Sequence, residues 1–316
     1  MSVERPTDSP PSHLRLLGWT VVCAVLWGSA FPAIKLVYAH WAERGVTIDF
    51  AARSMFAGLR FVVAGGVLLL VAQNPGREWR ATPTRLILIM AATQTVGQYV
   101  CFYLGLELAN GALSALLISS GSFWWVLLAP PFLGKPPLSR RQWLVVAAGA
   151  IGVTLAVYAP GGASKNPQLG AVMLLGASLF GALGLLTFQR VRPTMGSRAG
   201  TGFSLAIGGV VLIVMGAPAI ARGDLAIFDA YTIAWTAWLS FVSAAAFGLW
   251  NQLSTMFPAH QLATYRFLIP VCGVFESLLL LKGEVLTPGM ICGGLIVVAA
   301  ITQTQNKSSP AIPPRV

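Results

Sequence analysis

The sequence predicts an all-α integral membrane protein with ten transmembrane helices in two inverted five-helix repeats. The first observation is composition: 56% of the 316 residues are hydrophobic and only 10% are charged, whereas soluble domains carry about 25% charged residues. The second is patterning, because the apolar residues form runs close to the roughly 20 residues that a helix needs to cross a bilayer. The third is a weak similarity between the two halves of the chain.

Ten apolar segments lie between two short tails. Residues 1–13, rich in Ser and Pro, are expected to be a disordered N-terminal tail, and residues 304–316 form a polar C-terminal tail. The first apolar run is too long for a signal-peptide core and lacks a small-x-small cleavage site, so we expect it to be retained. The spans are predicted near 15–38, 53–72, 85–106, 111–133, 141–159, 168–188, 200–221, 231–255, 261–281 and 287–303.

The formal charge of +11 lies mainly in the short connections between apolar runs. No basic stripe interleaved with aromatic residues occurs, so nucleic-acid binding is rejected. The tails and the connections after even-numbered spans hold more than twice as many Lys and Arg as the connections after odd-numbered spans. By the positive-inside rule, we expect a multi-pass protein of the inner (plasma) membrane with both termini in the cytoplasm.

The end of the fifth span lies near the middle of the chain, as expected for a duplication. A shift of 149 residues places Gly134 opposite Gly283, each in a short turn between a helix with small residues and a Gly-rich last helix. The predicted repeats are 14–159 and 160–303. Because each repeat has an odd number of spans, the second enters the membrane upside down. Inverted repeats of this kind are typical of secondary transporters, whose site lies at mid-membrane between the halves.

Several short motifs occur in a characteristic order along the chain. They are VLWGSAFPAIK at 25–35, LRF at 59–61, FYLGL at 102–106, ALL at 115–117, and a final stretch from Pro270 through Gly283-Glu284 to Gly293-Gly294. Together these motifs resemble the EamA type of the drug/metabolite transporter superfamily, over nearly the whole chain. The segment FGLWN at 247–251 is similar to the branch that exports aromatic amino acids.

The resemblance implies ten spans in two inverted repeats, a central cavity, and export of amino acids or other metabolites by a monomer without a cofactor. The expected partners are therefore a small-molecule substrate and the lipid bilayer. Two positions depart from the family pattern: Lys135 stands where the first repeat usually has Glu, and Gly121 stands where Pro is common.

Charged side chains inside spans are costly and mark function or a buried pair. Lys35, Arg60 and Glu276 are all expected in the outer half of the membrane, so we predict that Glu276 neutralises Lys35 or Arg60. Both a structural ion pair and a role in gating or proton coupling are open. Arg266, one turn before Pro270, is expected to snorkel to the cytoplasm or to hold a substrate carboxylate.

Polar and aromatic side chains at mid-span are candidates for contact with the solute. On span three, Thr95, Tyr99 and Tyr103 follow each other at a spacing of four residues beside Gln94 and Gln98, so one broad polar face is predicted. Such a face either joins helices or lines a wet cavity. The predicted substrate-contacting residues are Trp27, Gln94, Gln98, Tyr99, Tyr103, Ser119, Trp250, Asn251 and Tyr265, and the predicted hinges are Pro32 and Pro270.

Three other classes of protein were weighed against this transporter. A membrane enzyme would need a catalytic constellation, but the three His residues lie far apart in tails or loops, so the sequence predicts no enzyme and no metal site. An ion channel would need a selectivity filter, and no filter motif is present. A carrier of phosphorylated metabolites or nucleotide sugars would need several cations at its cavity; Lys35, Arg60 and Arg266 leave this open.

Overall fold

The structure, a computed structural model, describes residues 13–134, 136–158, 164–256 and 268–305. Every regular element in these ranges is a helix, which confirms the all-helical class for the part of the chain that is described. Composition explains the result, because hydrocarbon offers no partner for a backbone N–H or C=O, and a helix satisfies these groups within one segment.

The first half of the chain contains five predicted spans, three of which are interrupted. The elements are α1 (His13–Gly28), α2 (Ala30–Glu43), α3 (Phe50–Leu70), α4 (Pro75–Ala81), α5 (Thr84–Met90), a π-helical turn (Ala91–Gly97), α6 (Gln98–Leu108), α7 (Gly111–Ile118), α8 (Gly121–Leu133) and α9 (Arg140–Tyr158). The pairs α1–α2 and α7–α8, and the series from α5 to α6, each form one span.

The second half has longer uninterrupted helices. They are α10 (Pro167–Val191), α11 (Ser197–Ala221), α12 (Ala230–Met256), α13 (Leu268–Leu280) and α14 (Pro288–Gln305), with a short 3₁₀ helix at Leu225–Phe228.

Eight helical segments in the described ranges are long and apolar enough to cross a membrane. They are Leu16–Glu43, Phe50–Leu70, Thr84–Leu108, Gly111–Leu133, Arg140–Tyr158, Pro167–Val191, Ser197–Ala221 and Ala230–Trp250. Two further apolar helices, Leu268–Leu280 and Pro288–Ala300, are shorter. Each of the ten predicted spans coincides with a described helix, but the ninth, 261–281, begins outside the described residues.

Glycines allow three pairs of spans to cross with their backbones in contact. A Cβ atom built on Gly58 of α3 would lie 2.7 Å from the carbonyl oxygen of Gly209 on α11. At the crossing of α6 with α10, a Cβ on Gly105 would lie 3.0 Å from the Gly170 carbonyl oxygen. Gly152 of α9 meets α14 in the same way. Since lipid supplies no hydrophobic drive between helices, such close approach is a main source of packing energy.

The connections after the first, third, fifth and seventh spans lie on one side of the molecule, called here the Asp49 face. Asp49, after α2, pairs with Arg222, after α11, at 3.0 Å. Four residues beyond Asp49, Arg53 pairs with Glu107 at the end of α6. Glu107 also pairs with Lys165, after α9, at 3.1 Å. Ion pairs therefore link these four connections.

The second, fourth and sixth connections lie on the opposite side, called here the Thr194 face. Thr82, before α5, and Thr194, after α10, share a hydrogen bond of 2.8 Å between their hydroxyls. Arg190, in the last turn of α10, donates to the carbonyl oxygen of Phe132, at the end of α8, at 2.8 Å. The first seven connections thus alternate between two faces, as they must in a chain that is threaded repeatedly through a bilayer.

Candidate functional site

Arg60 is a buried cation in the middle of α3. It is only 3% exposed. Its Nε donates to Ser243 Oγ on α12 at 3.0 Å, and its Nη1 donates to the Tyr103 hydroxyl on α6 at 3.2 Å. Ser240 Oγ, also on α12, donates to the backbone carbonyl of Arg60 at 3.1 Å. Arg60 therefore joins three spans through partners that are all uncharged.

Two aromatic rings lie on one side of this guanidinium. Its Cζ lies 4.8 Å from the ring centroid of Phe61 and 5.8 Å from that of Tyr99. Tyr99 packs against Phe102 at 5.9 Å between centroids, and Phe102 packs against Phe31 of α2 at 5.6 Å. A fixed positive charge beside aromatic walls can bind a solute that has both an anionic and an apolar part.

A small pocket lies beside Tyr103, between α3 and α6. Its lining includes Arg53, Ser54 and Ala57 of α3, together with Tyr99 and Tyr103 of α6. The pocket therefore reaches from a hydrogen-bond partner of Arg60 toward the ion pairs of the Asp49 face. This places Tyr99 and Tyr103, two of the predicted substrate-contacting residues, at one site.

The carboxylate of Glu276 lies on α13 beside the interruption between α1 and α2. Its Oε1 is buried and has no hydrogen-bond partner among the described residues. Gly28 makes room for it, because a Cβ there would lie 2.9 Å from Oε1 and 2.9 Å from the backbone nitrogen of Gly273. Pro32 has no N–H, so the Gly28 carbonyl also lacks its usual helical donor.

The predicted ion pair of Glu276 with Lys35 or Arg60 is not present in the described part of the chain. Lys35 instead donates to the carbonyl oxygen of Ala109, just after α6, at 2.5 Å. The free carbonyls at a helix C-terminus attract a cation, and Ala109 directly follows the end of α6. Arg60 has the uncharged partners given above. A gating role for these three residues stays a prediction.

Trp27 and Trp250, both predicted to contact the solute, lie together between α1 and α12. Their ring centroids are 5.6 Å apart, and Trp27 also packs edge-on against Phe247 at 5.4 Å. Both tryptophans are half-buried and extend the apolar cluster of Cys23 and Leu253. The cluster joins the two helices, and its contact with a solute stays a prediction.

The predicted polar face of span three is divided among several neighbours. Thr95 is buried and shares a hydrogen bond of 3.0 Å with Ser204 of α11. Gln94 and Gln98 face the glycines of α10: a Cβ on Gly181 would lie 3.0 Å from Gln98 Oε1. The π-helical turn changes the rotation per residue, which the α-helical spacing did not anticipate. Only the two tyrosines of this stripe reach Arg60.

The hydroxyl of Ser119 makes a hydrogen bond to the preceding helical turn, whereas the hydroxyl of Ser120 bonds to another helix. Ser119 Oγ donates to the carbonyl oxygen of Leu116 at 2.6 Å. Ser120 and Ser178 of α10 share a hydrogen bond of 2.8 Å between their hydroxyls, and Trp124 Nε1 donates to Ser178 Oγ at 3.0 Å. The interruption between α7 and α8 decides which of the adjacent serines points inward.

Acidic side chains on the Asp49 face hold helix starts and neighbouring connections. Glu284 accepts hydrogen bonds from the backbone N–H groups of Gly111 and Ala112, the first two residues of α7, at 2.5 and 3.3 Å. Asp229 contacts His40 at 2.6 Å between Oδ2 and Nε2. Carboxylates are stabilised at helix N-termini by the unpaired N–H groups there. These contacts join the ninth connection to the start of α7 and the seventh connection to the end of the first span.

Two aspartates of this face have pKa values below the usual range. Burial opposes ionisation of Asp49, but the N–H of Ala52 and the guanidinium of Arg222 outweigh it and lower its pKa. Burial likewise opposes ionisation of Asp229, and hydrogen bonds from His40 and Thr232 lower its pKa. Both groups are therefore charged at neutral pH and hold their partners electrostatically.

Several contacts of the site were not predicted from the sequence. Ser243 and Ser178 were not singled out, since single polar residues on the small-residue faces of spans are common. Glu284 was noted only as part of a family motif, and no partner was predicted for it or for Glu107. Asn251, Tyr265 and Arg266 cannot be placed: Tyr265 and Arg266 lie outside the described residues, as does the side chain of Asn251. Their predicted contacts stay predictions.

The geometry is that of a multi-pass helical membrane protein with a buried cation and aromatic side chains inside the bundle. Residues 168–304, from α10 to the end of α14, match the family model "EamA-like transporter family". The chain therefore carries an EamA-like transporter domain of the drug/metabolite transporter superfamily, and the resemblance found in the sequence is confirmed.

Three relatives are similar over most of their lengths. The "Probable amino-acid metabolite efflux pump" of Salmonella typhimurium is 23% identical over 89% of this chain and 91% of its own. The "Probable terminal-alkyne amino-acid exporter" of Streptantibioticus cattleyicolor is 26% identical over 90% of this chain and 91% of its own. "Uncharacterized transporter YvbV" of Bacillus subtilis is 25% identical over 90% of this chain and 89% of its own.

A solved crystal structure shares the fold. It covers 94% of this chain and 99% of its own chain with a TM-score of 0.56, at 14% sequence identity. Helix arrangement is thus common to the two proteins although few residues are.

Proposed function

We propose that this protein is a secondary transporter of the inner membrane that exports neutral amino acids, aromatic ones included, or related metabolites. The observation that carries the proposal is Arg60, a cation 3% exposed inside the bundle with uncharged partners and aromatic neighbours. An amino acid supplies the complementary groups, a carboxylate and an apolar side chain. Two relatives with amino-acid export in their names support the same solute class.

The proposed architecture is ten spans in two inverted repeats, 14–159 and 160–303. The pairing of helices supports it, because adding five to each span number reproduces the same set of contacts. The second span packs on the seventh (α3 on α11) and the fifth on the tenth (α9 on α14). The contact between the third and sixth spans (α6 with α10) corresponds to the contact between the eighth and first spans (α12 with α1), since the count returns to one after ten.

The turns at the proposed equivalent positions have the same backbone conformation. Gly134 and Gly283, which a shift of 149 residues aligns, both have left-handed backbone angles, with φ of 62° and 82°. A residue with a side chain rarely adopts this conformation. The shared conformation supports an origin by duplication.

The proposed orientation places the Thr194 face and both termini in the cytoplasm. Connections on that face carry most of the arginines, among them Arg77, Arg80, Arg140 and Arg192, and the positive-inside rule assigns such a face to the cytoplasm. The Asp49 face would then be external. Its ion pairs would form an external gate that must open and close during alternating access, with Lys35 among the gating residues.

Counterflow in proteoliposomes tests the proposal. Proteoliposomes that contain the purified protein and are preloaded with one amino acid should take up a labelled amino acid faster than empty ones. Preloading with a sugar phosphate should not accelerate this uptake. Acceleration by sugar phosphates or nucleotide sugars alone would reject amino-acid export.

The second candidate is a carrier of phosphorylated metabolites or nucleotide sugars. It requires several cations around the solute, because a phosphate group carries up to two charges. Lys35 donates to the Ala109 carbonyl at the Asp49 face, which leaves Arg60 as the membrane-embedded cation with aromatic neighbours in the described ranges. A single cation favours a monocarboxylate.

A further inference from the structure

We propose that Arg60 is the anchor for the carboxylate of the transported solute, and that Tyr103 and Ser243 orient its guanidinium. This inference rests on the proposed function and deepens it by naming the chemical group that the transporter recognises. It replaces the role in an ion pair that the sequence suggests for Arg60.

The charge of Arg60 is not neutralised by any described residue. Other cations of the described residues have a partner that accepts from them. Arg53 pairs with Glu107, and Arg222 pairs with Asp49 and Asp224. Lys35 donates to a backbone carbonyl oxygen. Arg60 has no carboxylate within 4.0 Å in the described ranges, and its Nη2 donates to none of their acceptors. An unpaired charge buried among apolar groups is costly, so a bound anion would remove a penalty that the protein otherwise retains.

The free nitrogen fits a carboxylate better than other anions. A guanidinium presents parallel N–H groups that match the two oxygens of a carboxylate. Ser243 holds Nε and Tyr103 holds Nη1, so the fork is fixed in orientation while Nη2 stays available. A dianionic phosphate would need a second cation at this place, and Arg53, which lines the pocket beside Tyr103, is already paired with Glu107.

The surroundings of Arg60 identify what must be attached to the carboxylate. The rings of Phe61 and Tyr99 lie 4.2 Å apart between centroids, on the same side of the guanidinium. They leave an apolar wall on one side of the charge, continued by Phe102. The favoured ligand is therefore a monocarboxylate that carries an apolar or aromatic group, and small acidic or highly polar solutes are disfavoured.

Binding at Arg60 would also change the contacts between spans. Arg60 links α3 to α6 and α12, and the backbone carbonyl of its partner Tyr103 accepts a hydrogen bond from Tyr38 of α2 at 3.2 Å. A carboxylate bound at Nη2 would draw the guanidinium toward itself and lengthen the bonds to Tyr103 and Ser243. The same event that binds the solute would thus loosen the joint between the two halves of the bundle.

The test is ligand-dependent thermal stabilisation of the full chain in detergent, together with counterflow in proteoliposomes. The probes are phenylalanine, 3-phenylpropionate, phenylalaninamide and phenylethylamine. For the wild-type protein we expect stabilisation by the two carboxylates and little by the amide or the amine. Arg60→Gln should weaken binding of the carboxylates by about tenfold or more, as expected for a lost charged hydrogen bond, and abolish the preference for carboxylate over amide.

Two further variants separate binding from folding. Arg60→Lys keeps the charge without the fork, so it should retain the preference for carboxylates at reduced affinity. Arg190→Gln, on the exposed Thr194 face, should behave as the wild type. If Arg60→Gln does not fold, Arg60→Lys and the wild-type ligand series decide the matter.

The outcomes are distinct for the two proposals. A wild-type protein that binds carboxylates and amides equally, or an Arg60→Gln protein that keeps the preference, overturns the role of Arg60. Stabilisation by carboxylates that is lost in Arg60→Gln, without counterflow of any amino acid, supports the anchor and rejects amino-acid transport.

Discussion

At the scale of single residues, Gly28 decides how closely the first span approaches α13. A Cβ there would meet the Glu276 carboxylate at 2.9 Å, the Gly273 nitrogen at 2.9 Å and Cys272 Cβ at 3.0 Å. Two of these three atoms cannot be moved by a simple rotation of a side chain. The absence of a side chain at this residue is therefore a requirement of packing.

We predict that Gly28→Ala destabilises the protein by about 1–3 kcal/mol, the usual cost of overpacking a close contact. Thermal unfolding in detergent measures this. Gly18→Ala on the same helix is the matched control, because nothing lies within 4 Å of a Cβ there. Equal melting temperatures for the two variants would contradict the close contact.

Glu276 is the second residue whose environment demands an explanation. We predict that Glu276→Gln reduces the rate of counterflow, as expected if this carboxylate takes part in gating or coupling. Thermal stability should be unchanged or higher, because a neutral amide replaces a buried carboxylate whose Oε1 has no described hydrogen-bond partner. The substitution keeps the shape of the side chain. A wild-type rate at normal expression would remove Glu276 from the gating and coupling proposals.

At the scale of elements, the interruptions of the spans matter more than the helices themselves. Ser29 separates α1 from α2, and its hydroxyl bonds to the Leu26 carbonyl at 2.8 Å and accepts from Trp238 Nε1 at 3.2 Å. Pro32 explains the break, because it cannot donate to Gly28. The hinge role predicted for Pro270, at the start of α13, depends on residues outside the described part.

Close crossings of helices are the second element-scale feature. We predict that Gly58→Ala is destabilising, since its Cβ would lie 2.7 Å from the backbone oxygen of Gly209 and the backbone nitrogen of Ile213. The cost should again be about 1–3 kcal/mol. Gly66→Ala, about two turns away on α3, meets nothing within 4 Å and should be neutral. Thermal melting of the pair, side by side, decides whether this crossing limits stability.

At the scale of the whole molecule, the Asp49 face holds together connections that are distant in sequence. We predict that Arg222→Gln, which removes the pairs with Asp49 and Asp224, increases amide hydrogen exchange in residues 44–49 and 222–229. Lys282→Gln on the same face is the control, as it has no ion pair among the described residues. Exchange that rises equally in both variants would exclude a specific role for the ion pairs.

Acid should have a related effect on this face. The pKa values of Asp49 and Asp229 are below the ordinary value of 3.8. Their contribution to stability is therefore fully present above pH 3.8 and is lost as the pH falls through the lowered values of the folded protein. The protection of amides at the Asp49 face, relative to their intrinsic exchange rate at each pH, should stay constant from neutral pH to about pH 4 and should fall only under stronger acid.

Hydropathy was sufficient to predict the class and the positions of the helices. Apolar runs such as those of α10 and α11 can cross hydrocarbon only as helices. Their own composition therefore determines their secondary structure, whichever helices pack against them. The motifs around Trp27, Arg60 and Tyr103 likewise identified the family. Each of these properties belongs to a single continuous segment.

The partners of the charged side chains could be decided only by the tertiary structure. Depth along a helix placed Lys35, Arg60 and Glu276 in the same half of the membrane, yet Lys35 bonds to the end of α6, Arg60 to Tyr103 and Ser243, and Glu276 lies against Gly28. Rotation about the helix axis sets these partners, and the π-helical turn and the interrupted spans change that rotation locally. Whether a buried charge is paired depends on all the helices around it, and no single segment contains that information.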